Sequence, residues 1–298
     1  SVIKWCSDHR RHHLKTDTED DPYSVTRGFF WAHIGWVMID EGEEVVEKVD
    51  DLQADKILAW QDRHIFLIGF LTGILLPALV GFAWIGGAHG FLGGLVYGGF
   101  VRVVIVHHAT FLINSAAHTW GNQPYSTENT SRDSAILSFL TFGEGYHNFH
   151  HTFQADYRNG HKWYHWDPSK WLIKVASWVG LTRELHKIPS NVIESRKMKK
   201  KFHEKVDGNE IDTQFQEKFK ECVKQFRNGF NDLRKRRKEY KTAKLSKKSE
   251  TKSNWKAIKQ GHKTRIKQCK KRISKARMEF KQLVESMRLN VDKKPVLA

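Results

Sequence analysis

Cysteine is scarce in this chain: Cys6, Cys222 and Cys269 are the three among 298 residues, and no two form a C-x-x-C pair. That excludes a disulfide framework and zinc-finger spacing, and leaves the three as ordinary small side chains in a reducing compartment. No initiator methionine and no signal peptide precede Ser1, although a candidate metal ligand, His9, lies close to that end. An N-terminally incomplete sequence is the expectation.

Charge is missing from one long stretch. Residues 65 to 85 carry none over 21 positions, enough to cross a hydrocarbon core of about 30 Å at about 1.5 Å per residue. Residues 91–113 are nearly as apolar but include Arg102, His107 and His108. A buried soluble hairpin is disfavoured, because a soluble core helix rarely stays uncharged on every face for so long. An Arg inside a span normally faces a protein interior or a functional cavity, which makes Arg102 a site-adjacent candidate; snorkelling towards an interface is the alternative. Two crossings return the chain to the side it left, so residues 9–13 and 147–151 are expected on one membrane face. The aromatic run from Gly28 to Ile39 is too short to span and suits a core or interfacial segment.

The rest of the chain is unevenly charged. Residues 1–193 hold 16 Lys+Arg against 20 Asp+Glu, and residues 194–298 hold 34 against 13. The mean hydropathy of −0.57 therefore hides a very apolar segment behind a lysine-rich one. Lys15 to Tyr23 is acidic and turn-rich, Gly121 to Ser134 is a polar loop, and Tyr157 to Trp178 reads as an aromatic, amphipathic interfacial helix. In the tail, Phe215, Phe219, Cys222, Phe226, Phe230 and Leu233 form one apolar stripe on a basic helix, and Ile266, Ile273, Phe280, Leu283 and Met287 a second,. Amphipathicity with this charge favours anionic lipid headgroups, with a coiled-coil partner next. No nucleic-acid fold signature is present, and no nucleic acid is expected.

What the chain has in excess is ordered histidine. His9-x-x-His12-His13 and His147-x-x-His150-His151 repeat one spacing. On a helix these positions share a face, so each triplet aims three imidazoles at one point. Asn114 and His118 share a face in the same way. Seven imidazoles exceed what one zinc needs, and neither triplet holds the Glu that zinc hydrolases place between their histidines, although Glu144 precedes the second. Two metals with all-nitrogen ligation, a diiron centre that activates dioxygen, fit better. The expected fold is all-α: an integral membrane domain over 1–193 with spans near 65–85 and 91–113 and a cytosolic histidine-rich cap, then a basic amphipathic helical tail over 194–298.

The chain resembles the membrane-bound fatty acyl desaturases, specifically the stearoyl-CoA, delta-9 type. The resemblance rests on His9-Arg10-Arg11-His12-His13, Arg27-Gly28-Phe29-Phe30 with His33-Ile34-Gly35-Trp36, Asn114-Ser115-Ala116-Ala117-His118, and Gly143 through Phe153 around the second triplet. It covers residues 1 to about 187 in the family's order and implies two of the family's four spans. It implies a site with two irons that uses O2 and two electrons to remove two hydrogens from an acyl chain held in a bent, dry tunnel. Carried over by position, the iron ligands are His9, His12, His13, His118, His147, His150 and His151, with Asn114 acting through a water. Trp5 and Thr110 fall where the family shapes the tunnel's kink, and Asp8, Arg10 and Arg63 fall to substrate binding.

Three departures stand out. The family's first box, His-x-x-x-x-His, would lie before Ser1. Asp40 and Glu41 stand where relatives carry basic residues that bind coenzyme A phosphates, and Ser7 stands where an Arg is expected. Together with Glu43 and Glu44 they would repel those phosphates, so an acyl-lipid is an alternative to acyl-CoA, unless Arg10, Arg11 and Arg63 compensate. The tail has no His-Pro-Gly-Gly haem motif, which implies a separate electron donor, cytochrome b5 or ferredoxin-type. The resemblance implies the endoplasmic reticulum membrane in a eukaryote and the cytoplasmic membrane in a bacterium. Competing readings are a diiron hydroxylase, a desaturase of other regiochemistry, and a non-catalytic membrane-surface scaffold.

Overall fold

The computed structural model describes residues 1–39, 48–206, 213–245 and 251–291. Asp40, Glu41, Glu43 and Glu44 lie outside the described residues, and with them the expectation of repelled phosphates. The chain divides into two compact units, Ser1–Lys187 and Ile188–Ala298. Among the described residues there is no strand, and two isolated antiparallel bridges join Asn122 to Asp133 and Asp133 to Tyr146.

The first unit begins with α1 (Val2–Lys15), whose first turn is capped by Ser1 Oγ accepting from the Lys4 N–H at 3.2 Å,. A short aromatic helix, α2 (residues 29–38), widens into a π turn over Trp31–Gly35. α3 (Lys56–Arg63) starts where Asp55 accepts the N–H groups of Ile57 and Leu58. It leads into α4 (Ile65–Ile85) and α5 (Gly87–Thr119), two helices long and apolar enough to cross a membrane. Their large side chains point away from the protein: Phe66 is 91% exposed and Trp84 87%, which a soluble core helix would not tolerate,. Gly86 at φ +87° breaks the helix between them,. α5 is longer than the sequence suggests, because it runs on past residue 113 and carries Asn114 and His118 on its last turns.

Small residues set the packing of these two helices. A Cβ on Gly94 would run into the Pro77 carbonyl oxygen, and one on Gly81 into the Gly90 carbonyl oxygen. Such close backbone approach is how helices associate where no hydrophobic effect drives them together. Arg102 completes the joint: its Nε donates to Gly98 O at 2.7 Å and its Nη2 to Gly73 O at 2.9 Å on the neighbouring helix. Gly73 lies in a π turn, Leu71–Leu75, where the normal helical ladder is displaced,. Arg102 therefore ties the two helices together and takes no part in the histidine cluster.

Beyond α5 lie three short helices, α6 (Ala135–Leu140), α7 (His147–Thr152) and α8 (Pro168–Trp178). The amphipathic helix expected over 157–178 is confined to α8. Residues 157–167 instead wrap around the buried Asp167 carboxylate, which accepts the N–H groups of Asn159, Gly160 and Lys170 at 3.0, 2.8 and 2.8 Å. Asp167 thereby becomes the N-cap, and Pro168 suits the first helical position,.

The second unit holds α9 (Ser190–Val206), α10 (Thr213–Leu245) and α11 (Lys252–Val291). The two apolar stripes of the tail face each other. Phe219, Cys222, Leu233, Ile273, Phe280 and Met287 share one core with the fully buried Phe226, and Phe202 of α9 stacks on Phe219 at 3.9 Å. Two amphipathic helices on one chain find each other first, since their link is short and closure is cheap. Cys222 and Cys269 serve in that core as small apolar side chains,.

Candidate metal centre

Two helices far apart in the chain bring the histidine triplets face to face. α1 presents His9, His12 and His13 from one side. α7 presents His147, His150 and His151, and its short length is compensated by anchors. Phe149, completely buried, pins it from behind, and Asp133 Oδ1 accepts the Phe149 N–H at 3.0 Å as a cap. The Asn148 side chain accepts the Tyr125 N–H at 2.9 Å and donates to the carbonyls of Ser126 and Ser131 at 2.8 and 3.0 Å. The entry to α7 needs glycine: Gly143 has φ +108°, and a Cβ on Gly145 would collide with the backbone of Leu137 and Ser138.

The imidazoles form two groups. His12, His118, His147 and His151, all buried, have ring nitrogens within 4.8 Å of one another, and so do the half-buried His9, His13 and His150. In the first group His151 Nε2 lies 3.2 Å from His12 Nε2 and 3.0 Å from His147 Nε2. In the second, His13 Nε2 lies 3.1 Å from His9 Nε2 and 2.9 Å from His150 Nε2.

Hydrogen bonds behind the rings decide where the lone pairs point. His12 Nδ1 is 2.8 Å from the buried Asp21 Oδ1, a carboxylate that can only accept, so Nδ1 carries the proton and Nε2 the lone pair,. Thr130 gives its one hydroxyl proton to Asp17 Oδ1 at 2.7 Å and therefore accepts from His118 Nδ1 at 2.8 Å. His118 Nε2 is then a buried lone pair with no protein partner among the described residues. Burial lowers the His147 and His151 imidazoles well below their ordinary value, with neighbouring imidazoles adding to it; the same two causes, burial and then His150, hold His9 down to about 3. Burial, and after it His12, holds His150 down to about 4. His12 Nε2 and His118 Nε2 thus present lone pairs towards the ring nitrogens of His147 and His151, and an all-imidazole donor set of this kind fits metal ions,.

The remaining residues picked out in the sequence are distributed as follows. Asn114 is half-buried, one turn before His118 on α5. Trp5 stacks on His9 with ring centroids 4.5 Å apart and stays 55% exposed. Asp8 accepts from Arg11 at 3.0 Å. Arg10 makes a two-pronged pair with Asp51 at 2.7 and 2.8 Å, which occupies its guanidinium fork,. Arg63 donates to Ala59 O within α3, and the Thr110 hydroxyl donates to Val106 O within α5. Ser7 is buried within α1. Asp17, Asp21 and Thr130 carry no signal of these roles in the sequence: the first two lie in an acidic, turn-rich segment, and no spacing rule links Thr130 to His118.

Known proteins are similar to the region that carries these histidines. A family profile described as fatty acid desaturase matches residues 1–174, more than half of the chain. Acyl-CoA desaturase 1 of Saccharomyces cerevisiae is 43% identical over 193 residues, covering 64% of this chain and 37% of that protein. A probable acyl-CoA desaturase of Schizosaccharomyces pombe is 42% identical over 197 residues, covering 65% of this chain and 40% of that protein. The sn-1 stearoyl-lipid 9-desaturase of Synechocystis is 34% identical over 197 residues, covering 65% of this chain and 59% of that protein. The chain thus spans about two fifths of the length of the two yeasts' proteins. A profile match over the whole histidine-bearing region, on a chain whose imidazoles converge between two helices, leaves one conclusion: the chain belongs to the fatty acid desaturase family.

Proposed function

We propose that this chain acts as a fatty acyl desaturase that inserts a cis double bond, of delta-9 regiochemistry, into a saturated acyl chain. The observation that carries the reading is the convergence of seven histidine nitrogens from α1, α5 and α7 in a family whose relatives are named desaturases. Two irons are the proposed occupants. His12, His118, His147 and His151 would hold one, His9, His13 and His150 would contribute to the other, and Asn114 would act through a water. Imidazole ligands without carboxylates suit iron, and the pair supplies O2-dependent abstraction of hydrogen from an unactivated methylene when bound.

The chain's own residues do the positioning. Asp21 holds His12 in one tautomer, and the Asp17–Thr130 relay does the same for His118,. The Trp5 ring stacked on His9 borders the outer group, a fitting wall for an apolar acyl chain approaching it. α4 and α5 anchor the site at a bilayer, so that lipid-borne substrate arrives without crossing water. Electrons come from a separate donor protein of cytochrome b5 or ferredoxin type. The acyl carrier is coenzyme A or a lipid: relatives named for each are similar to this chain. Arg10, occupied by Asp51, is a poor phosphate ligand unless that pair opens.

The test combines two measurements on the full-length protein expressed in a host membrane: iron per chain in the purified protein, and gas chromatography of the host's fatty acids. About two irons per chain and new monounsaturated acids support the reading. A hydroxylated acyl product moves it to the hydroxylase class, and an iron-free chain with unchanged lipids removes it.

A further inference from the structure

The charge of the second unit is not spread along it. α10 and α11 form an antiparallel hairpin, with register set by Phe219 against Phe280 at 6.0 Å and Tyr240 against His262 at 5.6 Å. The ends of α10 and α11 that follow each other in the chain, residues 234–245 and 251–271, form the turn end of that hairpin and hold 15 Lys+Arg against Glu239. The rest of the unit, 188–233 with 272–291, holds 15 against 10. Ion pairing follows the same division. At the far end Arg277 pairs with Glu194, Arg272 with Asp232, Lys275 with Glu279, Lys220 with Glu217 and Lys197 with Glu194. At the turn end Arg236–Glu239 is the ion pair among the described residues.

Such an end costs self-repulsion, and mutual burial of the apolar stripes holds it together. Its cations stand outward: Lys235, Arg237, Lys241, Lys259, Lys263 and Lys267 are all exposed. Apolar side chains accompany them. Leu245, at the last turn of α10, is 78% exposed, and Trp255, near the start of α11, is half-buried. An exposed leucine and a half-exposed tryptophan on a lysine-rich pair of helix ends have the composition of an interfacial anchor,. A phosphodiester backbone would use the cations and leave Leu245 without a role. Aromatics for base stacking are sparse here, with Tyr240 and Trp255 alone over residues 234–271,.

We propose that the turn end of the α10–α11 hairpin docks on the anionic headgroups of a bilayer. Lysines and arginines meet lipid phosphates and carboxylates while Leu245 and Trp255 enter the headgroup layer. The inference rests on the reading that α4 and α5 lie in a bilayer, since the same chain then holds the hairpin at high local lipid concentration.

The experiment uses the full chain in nanodiscs of phosphatidylcholine alone or of a phosphatidylserine-rich mixture, and follows tryptic cleavage by mass spectrometry. The quantity read is cleavage after Arg237 and Lys267 relative to cleavage after Lys199 and Lys220 in the same sample. This ratio cancels any effect of lipid charge on the protease. The expected result is a ratio about tenfold lower with anionic lipid, recovering in high salt. Replacing Lys241, Lys244, Lys259 and Lys263 by Gln abolishes the protection, and replacing them by Arg retains it. Equal ratios in the two lipids overturn the proposal, as does protection that appears only when RNA is added. A chain that fails to enter nanodiscs at all instead overturns the membrane reading of α4 and α5, so the two failures are distinguishable.

Discussion

His12 donates its Nδ1 proton to Asp21, 2.8 Å away and buried with it, and so turns a bare lone pair towards His151. The bond spans nine residues from helix to turn and does not depend on a metal being present. It preorganises one imidazole of a group whose other three come from α5 and α7. Asp21→Asn keeps the shape and removes the obligatory acceptor. Iron affinity is expected to fall about 10- to 100-fold, read by metal titration of the purified variant, while membrane insertion is unchanged. Unaltered affinity would show that the carboxylate does not orient the ring.

Direct removal of a ligand should be more severe. His147→Ala or His12→Ala opens the four-imidazole group, and three nitrogens hold an ion far less well than four,. Iron retained by the protein should drop by about one ion per chain, and formation of the unsaturated product should cease. The variants should still fractionate with membranes, because α4 and α5 are untouched. Full activity in both would take these residues out of the ligand set.

The clustering of these histidines is legible in the sequence because the i, i+3, i+4 spacing is set by the helix itself. Two triplets with the same spacing declare one face each without any knowledge of the fold. The two long apolar stretches were legible for a similarly local reason, the length of a span. Asp21 and Thr130 were not, since their roles depend on where a turn and a loop come to rest against α1 and α5. The tail shows the same divide. Its apolar stripes were readable, whereas their burial against each other depends on chain reversal between α10 and α11, which periodicity does not report. Residues 157–167 misled because aromatic density imitates an interfacial helix, while one buried carboxylate, Asp167, closes that segment into a loop.

Glu144 gives a pH dependence with a definite sign. Burial pushes its carboxyl from 4.5 up to about 7, against the hydrogen bond from Asn159 and with Asp167 adding to the rise. Between those two values the folded protein keeps a proton that the unfolded chain has lost. Stability therefore falls as pH rises from about 4.5 to about 7 and changes no further from this group above that,. Glu144→Gln keeps an acceptor for Asn159 and cannot ionise, so its melting temperature in detergent should decline less across that window. Parallel curves for the two proteins would mean that Glu144 is solvated.

The joint between α4 and α5 makes the last prediction. Gly94 faces the Pro77 carbonyl so closely that a single added carbon has no room, and the obstacle is backbone rather than a side chain that could rotate away. Gly94→Val must therefore push the two helices apart. Their separation would pull Arg102 off the Gly73 carbonyl and leave a guanidinium and a carbonyl unpaired within the apolar layer,. Overpacking alone costs about 1–3 kcal/mol, and the broken bond adds to it. The expected outcome is a chain that inserts but resists purification as a monodisperse species, with faster proteolysis between residues 85 and 87. Because α5 carries His118 at its far end, iron binding should weaken as well. Gly69→Val is the control: a Cβ there meets nothing within 4 Å, so that variant should behave as the parent does.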